Sequence, residues 1–448
     1  MNKTNGKSTT DIKNEMLKRP GESMTRFIYP MIKAVWEEEE VPKVWNRGRI
    51  TSIWKGKGDK ELLKNHRGIT TSSAIGTIVD ALIDSRLEAA VPLSQAQGGN
   101  KRGSSTCDHL FILQSIIDIT LKKQKSTYIT FYDVTKAYDN ADNNDMLCIA
   151  WENGLRGKAW RILRNLNKDL TAMVKTRYGL TREINMEVGG RQGSRLTGRL
   201  FSKMMDTLHY DLKEADIGFS ITEELKIPTL LWVDDVVTFV KSAEEQKVVL
   251  DKIDLFAKKH KLRWGSDKCQ VLRISRSKQK DKPIWHIGDM PISETESYKY
   301  LGDEITNDGR NKKNLESRKK KLNATTITIS AIASNEIMYM IETSVLLQLH
   351  ESINLPCLLT NAESWTLNKT EQDEVERIEI QAIKHLFDLP SHIPTPAIIY
   401  TFGLLYTKQR IAKTTQLSVE NIETSRPALD KNHPVRTRTT GHRLGTEH

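Results

Sequence analysis

"LWVDDVVTFV", Leu231 to Val240, sets two adjacent carboxylates, Asp234 and Asp235, between two runs of residues that a folded chain ordinarily buries. The pattern predicts a strand from Thr229, Asp-Asp as a two-residue connection, and a second strand, which is the commonest hairpin geometry. An isolated Asp-Asp pair commonly does no more than cap such a turn. About a hundred residues earlier, "TYITFYDV", Thr127 to Val134, is rich in β-branched and aromatic residues and predicts a buried strand ending at Asp133. If these strands are neighbours, three carboxylates converge. They then repel one another unless a cation neutralises them, and an all-oxygen set suits Mg²⁺ or Mn²⁺. Two such ions about 3.5–4 Å apart can hold the attacking and leaving oxygens of a phosphoryl displacement.

The bulk composition admits this chemistry. At 448 residues, with 38% apolar and 28% charged residues, the chain can bury a sizeable core and is expected to form two or three domains. Lys and Arg outnumber Asp and Glu by 68 to 57, a formal charge of +11, which suits a polyanionic partner, nucleic acid first. The excess gathers at Lys55 to Lys64, Arg310 to Lys321 and Arg426 to Arg443. Cys107, Cys148, Cys269 and Cys357 form no CxxC pair, which argues against a disulfide scaffold and a structural zinc. The N-terminus is polar, and stretches such as "AIIYTFGLLY" from Ala397 fall short of a membrane span. An intracellular protein, nuclear or cytoplasmic, is expected, with no membrane partner.

An α+β organisation follows from the mixed periodicities. Residues 20 to 45 read as an amphipathic helix, "RITSIW" (Arg49 to Trp54) as a strand, and "KGKGDK" as a loop. Ser72 to Ala90 reads as a helix with Ile75, Ile78, Val79, Leu82 and Ile83 on one face. Cys107 to Lys122 reads as a second helix behind a "GSST" capping region. "KAYDNADNNDMLCIAWENGL" resumes a helical pattern after Asp133, Ala243 to Lys261 is helical, and "SYKYLGDEI" is a hairpin candidate. Beyond about residue 310 the pattern is mainly helical, and the tail after Pro427 reads as flexible.

Order and company lift the carboxylates above a turn cap. "FYDVTKAYD" resembles motif A of the reverse transcriptase domain, "GGRQGSRLTGRLF" its motif B, and "LWVDDVV" its motif C, usually written YADD. Upstream, "VPKVWNRGRITSIWKGKGDKELLKNHRGI" resembles the fingers segment and "QGGNKRGSSTCDHL" the QxGFxxGxSTxD segment. Downstream, "WGSDKCQVLRIS" and "YKYLGDEI" resemble motif D and the KYLG strand. The likeness covers about residues 15 to 310 and is greatest to the non-LTR (LINE-type) retrotransposon enzymes, with group II intron reverse transcriptases as the nearest alternative.

The resemblance implies a right-hand polymerase fold: fingers and palm over 1–310, a mainly helical thumb or connection region over 311–425, and a basic tail over 426–448. It implies an RNA-directed DNA polymerase that takes an RNA template, a DNA primer and deoxynucleoside triphosphates, with two Mg²⁺ ions or Mn²⁺ in their place. Asp133, Asp234 and Asp235 would hold the metals together with the Val134 carbonyl. Lys55 or Lys57, with Arg67, would clamp the triphosphate. Tyr138 would crowd the sugar 2′ position, Gln192 and Gly193 would approach the incoming nucleotide, and Lys268 would donate a proton to pyrophosphate.

Some positions depart from the pattern. Trp232 stands for the usual Tyr or Phe, Val233 for Ala, Gly198 for a common Pro, Gly99 for a common aromatic and Ser266 for Asn. These leave open a catalytically silent, nucleic-acid-binding remnant as the alternative function. No stretch resembles an endonuclease domain or a zinc knuckle, so the chain is expected to be a fragment of a longer element's product. Its oligomeric state is left open.

Overall fold

The structure, a computed structural model, describes residues 16–17, 21–90, 92–186, 189, 194–276, 283–333 and 342–425. Gln192, Gly193 and the tail after Pro427 lie outside the described residues. In chain order the strands are β1 (Arg47–Trp54), β2 (His66–Thr71), β3 (Thr127–Asp133), β4 (Thr171–Thr176), β5 (Gly179–Leu180), β6 (Ile184–Asn185), β7 (Phe219–Ser220) and β8 (Lys226–Ile227). They continue as β9 (Thr229–Trp232), β10 (Asp235–Val240), β11 (Gln270–Ile274), β12 (Trp285–Ile287), β13 (Met290–Thr295), β14 (Ser297–Tyr300) and β15 (Asp303–Thr306). With the helices around them they make a mixed α+β architecture.

The main sheet has the order β12-β13-β11-β3-β10-β9, so β3 lies in the interior with antiparallel β10 and β11 on either side. A strand so placed is covered on both faces, which is why its sequence reads as a continuous apolar run. Successive side chains alternate between two cores. Tyr128 and Tyr132 join Val236, Val240 and Val271 in one; Ile129 and Phe131 join Val237, Phe239 and Leu272 in the other. Polar side chains also meet inside. The Tyr132 hydroxyl meets Thr238 Oγ1 at 3.1 Å, and Gln246 Nε2, on the helix Ala243–Lys259, donates to Thr130 Oγ1 at 2.8 Å.

A second sheet runs β2-β1-β4-β5, with β6 paired to β4. The helix Thr106–Lys122 begins where the GSST segment predicts: Ser105 accepts from the helix start, and Asp108 Oδ2 accepts the Ser105 backbone N–H, closing a capping box. The helix Ala74–Ala90 buries Ile75, Val79 and Ile83 as expected, but Leu82 is exposed. The buried stripe carries Asp84 instead, affordable because Arg199 Nε of the helix Arg195–Glu214 reaches its carboxylate at 2.5 Å. The segment after Asp133 is broken rather than one helix: Asp142 accepts the Asn144 N–H at 2.9 Å and starts the helix Asn143–Glu152 anew. β4 to β6 were not anticipated by the apolar pattern, because their sequence "TAMVKTRYGLTREIN" is half polar and mostly solvent-facing.

Two compact units divide the chain, Met1–Asn314 and Leu315–His448. Within the second unit the described residues are helical, with Thr343–Leu349 running through a π-turn at His350–Asn354 into Leu355–Leu359, followed by Lys369–Leu386, Thr395–Phe402 and Thr407–Ser425. Leu322, Leu358, Val375 and Ile378 form one of its cores.

Candidate active site

Register brings the carboxylates together. Asp235 of β10 is the direct partner of Asp133 of β3, and antiparallel partners lie about 4.5–5.5 Å apart at Cα. Asp133 is two residues past Phe131 and Asp235 two before Val237, so both side chains leave the sheet on the same face. The hairpin turn, however, sits one residue earlier than the sequence suggests. Trp232 pairs with Asp235, so Val233 and Asp234 form the connection, and Asp235 is the first residue of β10. Val233 takes φ +60°, the left-handed conformation that hairpin turns usually give to Gly or Asn.

The electrostatics are those of an anionic site short of cations. Burial pushes the Asp235 carboxyl up to about 7, and the charges of Asp234 and Asp133 push in the same direction. Asp234 is raised too, by burial first and by Asp133. Among the described residues Lys268 answers them: its Nζ lies 2.6 Å from Asp133 Oδ1 and 2.8 Å from Oδ2. Its position is fixed by the chain between the helix Ala243–Lys259 and β11. Thr135 N donates to Arg263 O at 2.8 Å and Gly265 N to Asp133 O at 2.9 Å, forming a bridge between Val134 and Trp264. Neither bond uses the Val134 carbonyl.

The donor set fits hard divalent cations. All the side-chain ligands are oxygens, they share one end of the sheet, and their mutual repulsion is what a cation relieves. Among the described residues no group of three or more His, Cys, Asp and Glu side chains is already closed into a cage for a metal. At Asp133 the Lys268 ammonium engages both oxygens.

Other anticipated residues fall into two groups. Tyr138, half-buried against Phe201 at 5.6 Å, belongs to the carboxylate site: burial raises its hydroxyl pKa and the Asp234 charge adds to that. Lys55, Lys57 and Arg67 are exposed on the β1–β2 hairpin, in the other sheet. Lys55 Nζ donates to Lys64 O at 2.9 Å and so braces its own loop. Among the described residues no hydrogen bond or ion pair joins these three to the carboxylates.

Sequence reasoning missed three contributors. Gln97 is completely buried and its Oε1 accepts the Val233 N–H at 3.0 Å. Asn100 Nδ2 donates to Ser202 Oγ at 3.0 Å, next to the Phe201 ring that packs on Tyr138. His109, on the helix Thr106–Lys122, meets the Trp232 ring edge-on at 5.5 Å. The signal for the first two was the pair of glycines between a Gln and an Asn in "QGGN", a sequence able to lie flat against another backbone.

A sheet-borne carboxylate pair with a third at the adjoining turn is an oxygen-only donor set of the kind that metal-dependent phosphoryl-transfer sites use. The chain belongs to the reverse transcriptase (RNA-dependent DNA polymerase) family, which matches residues 55–305. It is related to non-LTR retrotransposon proteins. It is 27% identical over 271 residues to the Pol polyprotein of the type-1 retrotransposable element R2 of Popillia japonica, 58% of this chain and 38% of that protein. With the R2 polyprotein of Nasonia vitripennis it shares 29% over 204 residues, 43% of this chain and 19% of that protein. The 149 kDa protein of transposon TX1 from Xenopus laevis is 22% identical over 210 residues, 46% and 16% of the two chains. The chain thus spans well under half the length of these relatives. Among solved structures it is similar to apo telomerase from Candida tropicalis, with TM-score 0.45 and 15% identity over 88% of this chain and 67% of that one.

Proposed function

We propose that the chain is an RNA-directed DNA polymerase of a retrotransposon-like element, working with two divalent metal ions on an RNA template, a DNA primer and deoxynucleoside triphosphates. The observation that carries this reading is the register of Asp133 against Asp235 with Asp234 at the adjoining turn, inside the stretch that matches the family. On this reading the six-stranded sheet is the palm of a right-hand fold, β1 and β2 belong to the fingers, and residues 311–425 form a helical thumb. The protein acts inside the cell, in the nucleus or cytoplasm; no described helix is long and apolar enough to cross a membrane.

Asp133, Asp234, Asp235 and the Val134 carbonyl would hold the metals, which supply Lewis-acid stabilisation of the attacking and leaving oxygens. Lys268 would leave Asp133 when they bind, and its exposed ammonium then stands free to give a proton to the departing pyrophosphate. Lys57 and Arg67, exposed on one hairpin, would neutralise the triphosphate, with Lys55 shaping the loop that presents them. Tyr138, next to Asp234, would occupy the space a ribose 2′-hydroxyl needs. Gln192 and Gly193, which lie outside the described residues, would approach the incoming nucleotide, as the resemblance implies.

Primer extension on an RNA template with Mg²⁺ or Mn²⁺ tests the assignment. The unmutated chain should add deoxynucleotides, and the Asp234→Ala, Asp235→Ala double variant should bind the same template–primer yet lose at least about 10³-fold in rate, the scale of removing a metal-held transition state. Binding without extension by the unmutated chain with either metal sinks the polymerase reading and leaves the remnant.

A further inference from the structure

The stretch "SYKYLGDEI" takes no part in the chemistry proposed above, yet it lies over the catalytic strand. β14 carries Tyr298, whose ring stacks on Phe131 of β3 with centroids 4.1 Å apart and planes 8° from parallel. Phe131 comes two residues before Asp133, so Tyr298 covers the face from which the carboxylates emerge. Burial, and after it the charges of Asp235 and Asp133, push the Tyr298 hydroxyl well above its ordinary range, so it stays protonated. It donates to the main-chain carbonyl of Lys268 at 2.9 Å.

Lys268 ends a short segment fastened to the chain that follows β3. At its start His260 Nδ1 lies 2.5 Å from Asp145 Oδ2, and Lys261 Nζ lies 2.8 Å from Asp142 Oδ2. In its middle Gly265 N donates to Asp133 O at 2.9 Å, and Gly265 O accepts the N–H of Lys268 at 3.1 Å and of Cys269 at 3.0 Å. At its end the Lys268 ammonium closes the loop on the Asp133 carboxylate. That last link is the one a divalent cation at Asp133 would break, because the ammonium engages both oxygens such a cation would take. A lysine side chain without its partner regains much rotamer freedom, and its reach is then set by where its backbone is held. The Tyr298 hydroxyl holds that backbone.

We propose that Tyr298 is a positioning residue for Lys268: its hydroxyl pins the Lys268 carbonyl, so that the ammonium, once released from Asp133, stays beside the reacting phosphates instead of swinging into solvent. Because Tyr298 stacks on β3, the proton donor and the metal-holding carboxylate are both referenced to one strand. The catalytic half of this proposal rests on the polymerase reading; the local hold does not.

Tyr298→Phe keeps the ring and its stack on Phe131 and removes only the hydrogen bond. Amide exchange is followed by mass spectrometry in the full chain, in chelator and without substrate. Over residues 265–269 it should be about threefold to tenfold faster in Tyr298→Phe, the worth of one hydrogen bond, while β3 and β11 exchange as before. In the Lys268→Met background, where the ammonium link is already gone, the effect should be at least as large. Unchanged exchange over 265–269, or an acceleration shared by β3 and β11, overturns the hold. Single-turnover incorporation on an RNA template with a DNA primer then tests the role. Tyr298→Phe should lower the rate at saturating deoxynucleotide by about threefold to tenfold and leave the half-saturating concentration within about twofold. With Lys268→Met the same change should alter the rate less than about twofold, since the proton donor is absent. Equal losses with and without the ammonium, or no loss at all, overturn the positioning role. If the unmutated chain adds no nucleotide, the polymerase reading falls while the exchange measurement still decides the hold.

Discussion

At the scale of single residues, the site shows how burial assigns opposite duties to charges. Asp234 and Asp235 are kept where ionisation is costly, and only a cation makes that arrangement favourable. His109 is the converse case. Burial holds its pKa down to about 4, with the Lys101 charge adding, and the neutral ring packs on Trp232 and meets the Tyr300 hydroxyl at 3.3 Å. A histidine whose folded pKa lies below its unfolded value of about 6.5 contributes fully above that value, and the contribution is lost as pH falls toward 4. The shift corresponds to about 2–3 kcal/mol between pH 7.5 and 4.5. Urea unfolding at those two pH values should therefore show an acid loss in the unmutated chain larger by that amount than in His109→Gln. Equal losses in the two chains would show that His109 is not held neutral by its pocket.

At the scale of elements, the helix Arg195–Glu214 is tied to the helix Ala74–Ala90 by a buried ion pair. Arg199 Nε reaches Asp84 Oδ1 at 2.5 Å and its Nη2 reaches Glu88 at 3.5 Å, with both Arg199 and Asp84 nearly inaccessible. Arg199→Met leaves a buried carboxylate without its partner and should cost about 3–5 kcal/mol of unfolding free energy. Arg199→Met with Asp84→Leu removes both charges and should recover most of it. A double variant no more stable than Arg199→Met in denaturant titration would refute the pairing. This pair also marks what the sequence conceals. β3, β10 and the β14–β15 hairpin were legible because sheet burial writes itself as apolar runs broken by Gly and Asp. The capping box at Ser105 was legible because its two partners are three residues apart. Asp84 on a buried stripe, the Val233–Asp234 turn and the grip of Gln97 on Val233 were not. Each depends on a partner more than a hundred residues away, or on a strained φ that an outside hydrogen bond sustains.

At the scale of the whole molecule, the excess of 68 Lys and Arg over 57 Asp and Glu becomes a statement about binding. The carboxylate site is itself anionic and would repel a nucleic acid, so affinity must come from basic residues elsewhere on the surface, among them the exposed Lys57 and Arg67 on the β1–β2 hairpin. Phosphate neutralisation by such residues releases condensed counterions, and the logarithm of the binding constant falls with the logarithm of salt by about 0.9 per contact. With some six contacts, affinity for a template–primer should drop about 10³-fold between 50 and 200 mM KCl. If Lys57 and Arg67 are two of those contacts, Lys57→Ala with Arg67→Ala should shallow the slope by about 2. Asp234→Ala with Asp235→Ala should leave the slope unchanged, because on the proposed reading the carboxylates contribute chemistry and not grip. Fluorescence anisotropy across a salt series, with a labelled RNA–DNA primer duplex, reads both numbers. A slope that ignores the basic pair but changes with the carboxylates would place the nucleic acid's grip on the metal site and contradict this division of labour.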